Sequence, residues 1–348
     1  MNKGVNDKLS NALKSIMIMV LVLTIIIGCT SQEAVVDNDQ PEKSGQTPNK
    51  QSGSPSLSEE DGTIVFKELV DVAGQNPKIN IYKIFYISDG TKVEAFLSEP
   101  KESGKYPLHV TLHGGWAYER PNKTHDSFGF QAESLKNAPE NVVRIAPQYR
   151  GYMGSEGSVQ GLAGNTLDTR NAIKAAMSWE NILTDSIYLT GASMGGGVAL
   201  RTASERKDIK AVVAVSPFVG WDTIIQWMDN NTNGVWPDNV QKERKLANEY
   251  KDIFSKNPGK EKENSLLDRI PDIQSPVLLL QGTADESVVW QTVQEFANRM
   301  KEMNKTVKLI LYPDGGHGLK DLYQNETSKE IDSWLTEYGL SQISKNPQ

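Results

Sequence analysis

Five short apolar runs beyond residue 140 constrain the fold more than any other feature. They span residues 142–146, 187–190, 211–215, 277–280 and 307–311. Helical segments at 166–179, 194–206, 287–303 and 325–338 are interleaved with them. A strand that is apolar throughout, without alternation, is covered on both faces. Strands that alternate with helices pair in parallel, because a parallel crossover needs a helix's worth of chain. The expected body is therefore α/β, a mostly parallel, doubly wound sheet. Upstream, before a further run at 108–112, three runs at 64–70, 79–87 and 92–98 lie close together, the second and third joined by the turn Ser88-Asp89-Gly90. They predict antiparallel N-terminal strands. No internal repeat interrupts this order.

Between residues 217 and 271 the alternation breaks, then resumes. A stretch that interrupts one pattern is an insertion over the sheet and not a second domain. It carries Trp221, Trp227 and Trp236 and a polar helical run at 239–255. Two readings stand for it: a helical lid with an aromatic pocket, or ordinary packing of inserted helices.

The front of the chain reads as an address. Lys3, Lys8 and Lys14 face a single Asp7, and residues 16–27 are apolar except Thr24. A basic stretch and a dozen apolar residues have the shape of a secretory signal; a membrane span needs about 20. The run ends Ile26-Ile27-Gly28-Cys29, which resembles the lipobox of bacterial lipoproteins. That resemblance implies cleavage before Cys29 and a diacylglyceryl group on the chain's one cysteine; the alternative is an uncleaved anchor. Removing residues 1–28 leaves 34 basic and 43 acidic residues, a charge of −9. Attachment to a membrane would thus come from the lipid and not from a polybasic patch. Residues 29–61 are polar and poor in apolar positions, a tether with a reach of roughly 30 Å. The expected organisation is a signal peptide at 1–28, a tether at 29–61 and one α/β body at 62–345 with a lid insertion at 217–271. The expected place is extracytoplasmic, lipid-anchored at a bacterial cell membrane. A formal charge of −7 over 348 residues argues against a nucleic-acid partner. A single cysteine excludes an internal disulfide framework and a cysteine-clustered zinc site.

The chemistry concentrates where an apolar strand runs into Gly191-Ala192-Ser193-Met194-Gly195 and then a helix. The bare G-x-S-x-G pattern is weak; its strand-to-helix setting gives it weight. Such a sharp turn needs small residues on both flanks and lifts the serine oxygen above the sheet. Serine needs a base, and the chain has only four histidines. His109 lies inside an apolar strand and is structural. His113 opens His113-Gly114-Gly115-Trp116, where it shapes a turn. His125 lies in a polar loop. His317 lies in Asp314-Gly315-Gly316-His317-Gly318, just past an apolar strand, where catalytic groups collect. His317 is therefore the expected base. The acid should fall between serine and histidine. The buried run from Pro276 ends at Asp285, the expected acid; Asp314 shapes its own turn.

Together, these stretches resemble an α/β-hydrolase, most closely the catalytic domain of the prolyl-oligopeptidase family and its dienelactone-hydrolase-like relatives, over about residues 80–340. The matching segments are Tyr106-Pro107 through His113-Gly114-Gly115, Tyr149-Arg150-Gly151, Thr190 through Gly196, Pro276 to Asp285, and Leu311-Tyr312-Pro313 through His317-Gly318. The resemblance implies an α/β-hydrolase fold with a Ser193–Asp285–His317 triad. It also implies an oxyanion hole from the N–H of Met194 and that of Gly115 or Trp116. This chain departs from the family in three ways. Trp116 stands where several relatives have proline, His113 where some have an oxyanion tyrosine, and about 60 mature residues where full-length relatives carry a β-propeller. The expected activity is that of a serine hydrolase cleaving small ester or short-peptide substrates through an acyl-enzyme. A carboxylesterase or acetylesterase is the alternative, and a non-catalytic binding lipoprotein is the rival from another class. No cofactor or metal motif is present, and none is expected. Arg150 reads as an ion-pair partner or else a substrate contact, Asp168 as a complement to a helix dipole, and Trp290 as either pocket or packing.

Overall fold

The computed structural model describes residues 60–124, 128–231, 238–320 and 322–340. The signal peptide at 1–28, Cys29, nearly all of the tether, His125, Trp236 and residues 341–345 lie outside the described residues. Four strands come first: β1 (Ile64–Val70), β2 (Ile79–Ser88), β3 (Thr91–Pro100) and β4 (Tyr106–Leu112). A two-stranded ribbon pairs β5 (Glu119–Arg120) with β7 (Val159–Gln160). The rest of the main sheet is β6 (Val143–Pro147), β8 (Ile182–Ala192), β9 (Ile209–Val215), β10 (Val277–Gly282) and β11 (Val307–Tyr312). The order across the nine strands is β1-β2-β3-β6-β4-β8-β9-β10-β11. Pairings from β1 through β3 to β6 are antiparallel, and those from β6 onward are parallel. Both expectations of strand direction hold.

The uninterrupted apolar strands are explained by two cores. Along β9, Val212 and Ala214 enter one buried cluster while Ala211, Val213 and Val215 enter the other. In β10, Val277 and Leu279 go one way, Leu278 and Leu280 the other. Successive side chains point to opposite faces, so the middle of a strand covered on both sides favours apolar residues at successive positions. Each leucine so buried is worth about 1.5–3 kcal/mol of transfer from water. Helices α1 (Gly161–Ala176), α2 (Met194–Glu205) and α6 (Trp290–Glu302) cover one face. Helix α7 (Gln324–Glu337) covers the other through Trp334 and Leu335.

The helix expected at 166–179 begins five residues earlier, at Gly161. Glycines at 161 and 164 lower local propensity, but the turn they form lies buried against the loop after β4, and packing decides. This shift corrects the reading of Asp168. It lies about two turns into α1, fully buried, too far from the N-terminus to complement a dipole. It binds Arg150 instead, with Nη2 2.8 Å from Oδ1. Arg150 also reaches Ser88 and Gln160, which makes it the structural ion-pair partner expected.

Between β9 and β10 stand α3 (Trp221–Asn230), α4 (Asp238–Lys256) and α5 (Pro258–Asn264). Asp222, in the first turn of α3, clasps the end of this stretch. Its carboxylate accepts from the Ser265 hydroxyl at 2.6 Å and the Leu267 N–H at 2.9 Å. Trp221 stacks on Tyr250 of α4 at 4.4 Å and is buried. That ring packs α3 against α4. Among the described residues, no helix is long and apolar enough to cross a membrane.

Candidate active site

The carboxyl end of β8 delivers Ser193. Its φ of 55° and ψ of −126° lie in a region that L-residues rarely occupy, and α2 starts at the next residue. The turn holds because the flanks are bare. A Cβ on Gly191 would come within 2.1 Å of Gly195 O, and one on Gly195 within 2.3 Å of Leu112 O. Neither gap admits a methyl group, which is the physical content of the G-x-S-x-G pattern. The Ser193 N–H donates to Val215 O at 2.9 Å, and its carbonyl accepts from Phe218 N–H at 3.0 Å. Strand β9 and the start of the insertion thus brace the strained residue.

Asp285 follows β10, and His317 opens a short 3₁₀ turn after β11. Nδ1 of His317 lies 2.9 Å from both Asp285 oxygens. With a carboxylate as acceptor, Nδ1 carries the proton and Nε2 is left with its lone pair. Asp285 is fully shielded while the His317 ring is 30% exposed, so the imidazole alone faces outward. Asp285 also accepts from Gln281 Nε2 at 3.0 Å and from the Ser287 and Val288 N–H groups at 2.8 and 2.9 Å. Burial alone would raise the Asp285 carboxyl. The His317 hydrogen bond and charge, with those backbone donors, outweigh burial and hold it below the ordinary carboxylate value.

The loops after β10 and β11 are joined by Thr283 N–H to Tyr312 O and Ala284 N–H to Gly315 O, both at 3.0 Å. Asp314 has φ 55° and donates its N–H to Thr283 Oγ1, so it shapes the turn as expected. Ser216, buried with φ 44°, accepts from the Gly318 N–H at 3.0 Å and ties the His317 turn to the end of β9. Ser193, Asp285 and His317 therefore stand on turns at the carboxyl ends of β8, β10 and β11, with β9 between the first two. Among the described residues the Ser193 hydroxyl makes no hydrogen bond, including none to His317; such bonds commonly tighten only with substrate in place.

Across from Ser193 runs the turn after β4. Gly114 approaches the serine so closely that a Cβ there would lie 3.3 Å from Ser193 Cβ. His113 is buried, its Nε2 2.9 Å from Gln148 O, and shapes this turn as expected. His109 is buried in β4 with Nε2 2.7 Å from Thr190 Oγ1, a structural residue. The expected alternatives Gly115 and Trp116 now separate. The Trp116 N–H already donates to the Tyr152 hydroxyl at 2.8 Å. Tyr152 is wholly buried, so that N–H points into the protein. Trp116 is corrected on this ground as a donor. The Gly115 N–H has no partner among the described residues. Met194 is the first residue of α2, where helix N–H groups have no intrahelical acceptor.

Three residues that matter here were not singled out from sequence. Gln281 had a signal, a polar residue closing an otherwise apolar strand. Ser216, between an apolar strand and Pro217, had a faint one. Tyr152 had none beyond its nearness to Tyr149-Arg150-Gly151.

Residues 163–341 match the prolyl oligopeptidase family. The chain belongs to that family. It is a serine hydrolase of peptidase or esterase type. Uncharacterized peptidase YtmA of Bacillus subtilis (strain 168) is 25% identical over 264 residues, 74% of this chain and 93% of its own. The acylamino-acid-releasing enzyme of Rattus norvegicus is 25% identical over 259 residues, 68% of this chain but 31% of its own. The chain thus spans about a third of that enzyme. Among solved structures, acetyl xylan esterase 1 from Thermoanaerobacterium sp. superposes with a TM-score of 0.56 at 18% identity, covering 78% of this chain and 88% of its own. The acylaminoacyl peptidase of Pyrococcus horikoshii gives 0.55 at 16%, covering 75% and 41%. At these identities the two structures share the fold.

Proposed function

We propose that Ser193, Asp285 and His317 are the nucleophile, acid and base of this serine hydrolase, with the N–H groups of Met194 and Gly115 as the oxyanion hole. The observation that carries this reading is the Asp285–His317 pair, held at 2.9 Å beside a serine in a strained strand-to-helix turn. His317 Nε2 takes the Ser193 proton as Oγ attacks the substrate carbonyl. The tetrahedral oxyanion accepts from the two backbone donors. It collapses, His317 returns the proton to the leaving amine or alcohol, and an acyl-enzyme remains. Water, deprotonated by His317, then releases the acid and restores Ser193.

The substrate class is a short peptide or small ester. Similarity to the acylamino-acid-releasing enzyme supports the peptide arm, and the ester arm is the alternative. Fluorophosphonate should label the full-length chain at Ser193, and Ser193→Ala should abolish labelling with the fold intact. Labelling of Ser193→Ala, or none of the folded wild type, would sink the assignment. Turnover of p-nitrophenyl acetate against aminoacyl and acylaminoacyl p-nitroanilides then separates esterase from peptidase; no turnover of either, with labelling absent, would indicate a binding protein.

The organisation proposed around this body is a cleaved signal at 1–28, a lipid on Cys29 and a tether to about residue 61. Its support is the run Ile26-Ile27-Gly28-Cys29 after a short apolar stretch. Detergent-phase partitioning that is lost in Cys29→Ala is the expected result. Equal partitioning of both forms would count against lipidation.

A further inference from the structure

We infer that Tyr152 is a positioning residue for the oxyanion hole, setting the direction of the Gly115 N–H and tying it to the Met194 side of the site. The inference rests on the reading of Gly115 and Met194 as oxyanion donors. Tyr152 lies in the loop after β6, away from the turn that carries the donors, yet it touches both halves of the hole. Its hydroxyl oxygen accepts the Trp116 N–H at 2.8 Å, the residue directly after Gly115. The same hydroxyl lies 3.8 Å from Met194 Sδ. Its ring sits under Gly115, where a Cβ would come within 2.9 Å of it, and Gly115 holds φ 153°. An adjacent amide plane is therefore fixed at both ends: the Tyr152 ring blocks one side of Gly115, and the Tyr152 oxygen pins the next N–H inward.

Neighbouring rings immobilise Tyr152 in turn. The His113 ring lies 5.2 Å from it and Tyr149 6.1 Å from it, both edge-on. The Tyr149 hydroxyl reaches His113 O at 3.5 Å. The loop over residues 148–152 thus engages His113 and Trp116, the two ends of the His113–Trp116 turn, and the Gly115 N–H between them is left for the substrate oxygen. Burial pushes the Tyr152 phenol up to about 12, so it stays a neutral hydroxyl across physiological pH. Were Trp116 N–H released, it could swing toward the site and rotate the Gly115 N–H off the oxyanion, because the two share one turn. A misdirected oxyanion donor costs the transition state more than the ground state, so the deficit belongs in kcat.

The test is Tyr152→Phe in the full-length chain, which removes one oxygen and keeps the ring. The expected result is a kcat lower by about 10- to 100-fold with KM within about threefold. A trifluoromethyl ketone that mimics the tetrahedral intermediate should lose affinity by the same factor. Fluorophosphonate should still label Ser193 to completion, only more slowly. Wild-type kcat and unchanged affinity for the mimic in Tyr152→Phe would overturn the inference. Residue-resolved hydrogen exchange on the wild type tests it without any variant: the Trp116 amide should be protected before the mimic is added and the Gly115 amide only after. Protection of the Trp116 amide only on binding the mimic would overturn it. A wild-type chain that fluorophosphonate does not label would instead remove the triad assignment beneath it, a failure read separately.

Discussion

Asp285 holds His317 with both carboxylate oxygens at 2.9 Å, while Gln281 and two backbone N–H groups saturate the same carboxylate from behind. The arrangement fixes which imidazole nitrogen carries the proton. Asp285→Asn should keep the fold but offer an amide N–H where Nδ1–H needs an acceptor, favouring the other tautomer. The expected outcome is a kcat about 10⁴-fold lower, measured on a p-nitrophenyl ester, with the far-ultraviolet spectrum unchanged. A loss of less than about tenfold would remove Asp285 from the proposed triad.

The same carboxyl titrates below its ordinary value in the folded chain. A depressed carboxyl contributes stability that is fully present above its unfolded value, about 3.9, and is lost as pH falls through the lower folded value. Urea unfolding of wild type and Asp285→Asn at stepped pH should therefore show a stability difference that is constant above about pH 5 and shrinks below about pH 4. A difference that grows on acidification would reverse the sign of the shift.

Gln281 supplies one of the donors to Asp285 Oδ2 from a fully buried position at the end of β10. Gln281→Leu keeps similar bulk and removes the donor. Loss of a hydrogen bond to a charged group costs about 2 kcal/mol of stability, and a loosened acid should lower kcat about tenfold with KM unmoved. Steady-state kinetics beside a urea melt would check both; an equal rise in KM would place Gln281 at the substrate instead.

The Arg150–Asp168 pair is buried at both ends, at 4% and 0% side-chain exposure. Asp168→Asn leaves the guanidinium without its main counter-charge and should cost about 3–5 kcal/mol in urea unfolding. Activity of the folded fraction should be unaltered, since the pair sits against Ser88 and Gln160 and not at the elbow. An altered KM with wild-type stability would make Arg150 a substrate contact.

Much of this was legible in the chain itself. Two-sided burial favours apolar residues at successive positions, so the parallel strands announced themselves without any partner being known. The elbow glycines were legible for a similar reason: contacts of 2.1 and 2.3 Å leave no room for a side chain, and sequence records that as G-x-S-x-G. Scarcity did the rest, with four histidines leaving one on a turn past an apolar strand. The start of α1 was misplaced because helix propensity is a local quantity of tenths of a kcal/mol per residue, while the packing that begins the helix at Gly161 is not local. Asp168 was misread with it, since its partner is 18 residues away along the chain.

What the sequence by itself determined was the kind of sheet, the position of the strained serine and the turns past β10 and β11 that carry Asp285 and His317. Each of these is written in short-range patterns: periodicity, missing side chains, a strand followed by a turn. Only the tertiary structure decided how one N–H is spent and another kept. Trp116 and Gly115 are adjacent in the same turn and chemically equal as backbone donors. The difference between them is a hydroxyl 36 residues downstream, Tyr152, brought to Trp116 by the parallel pairing of β4 with β6. A hydrogen bond is a statement about distance in space, and chain order carries that only where the fold converts one into the other.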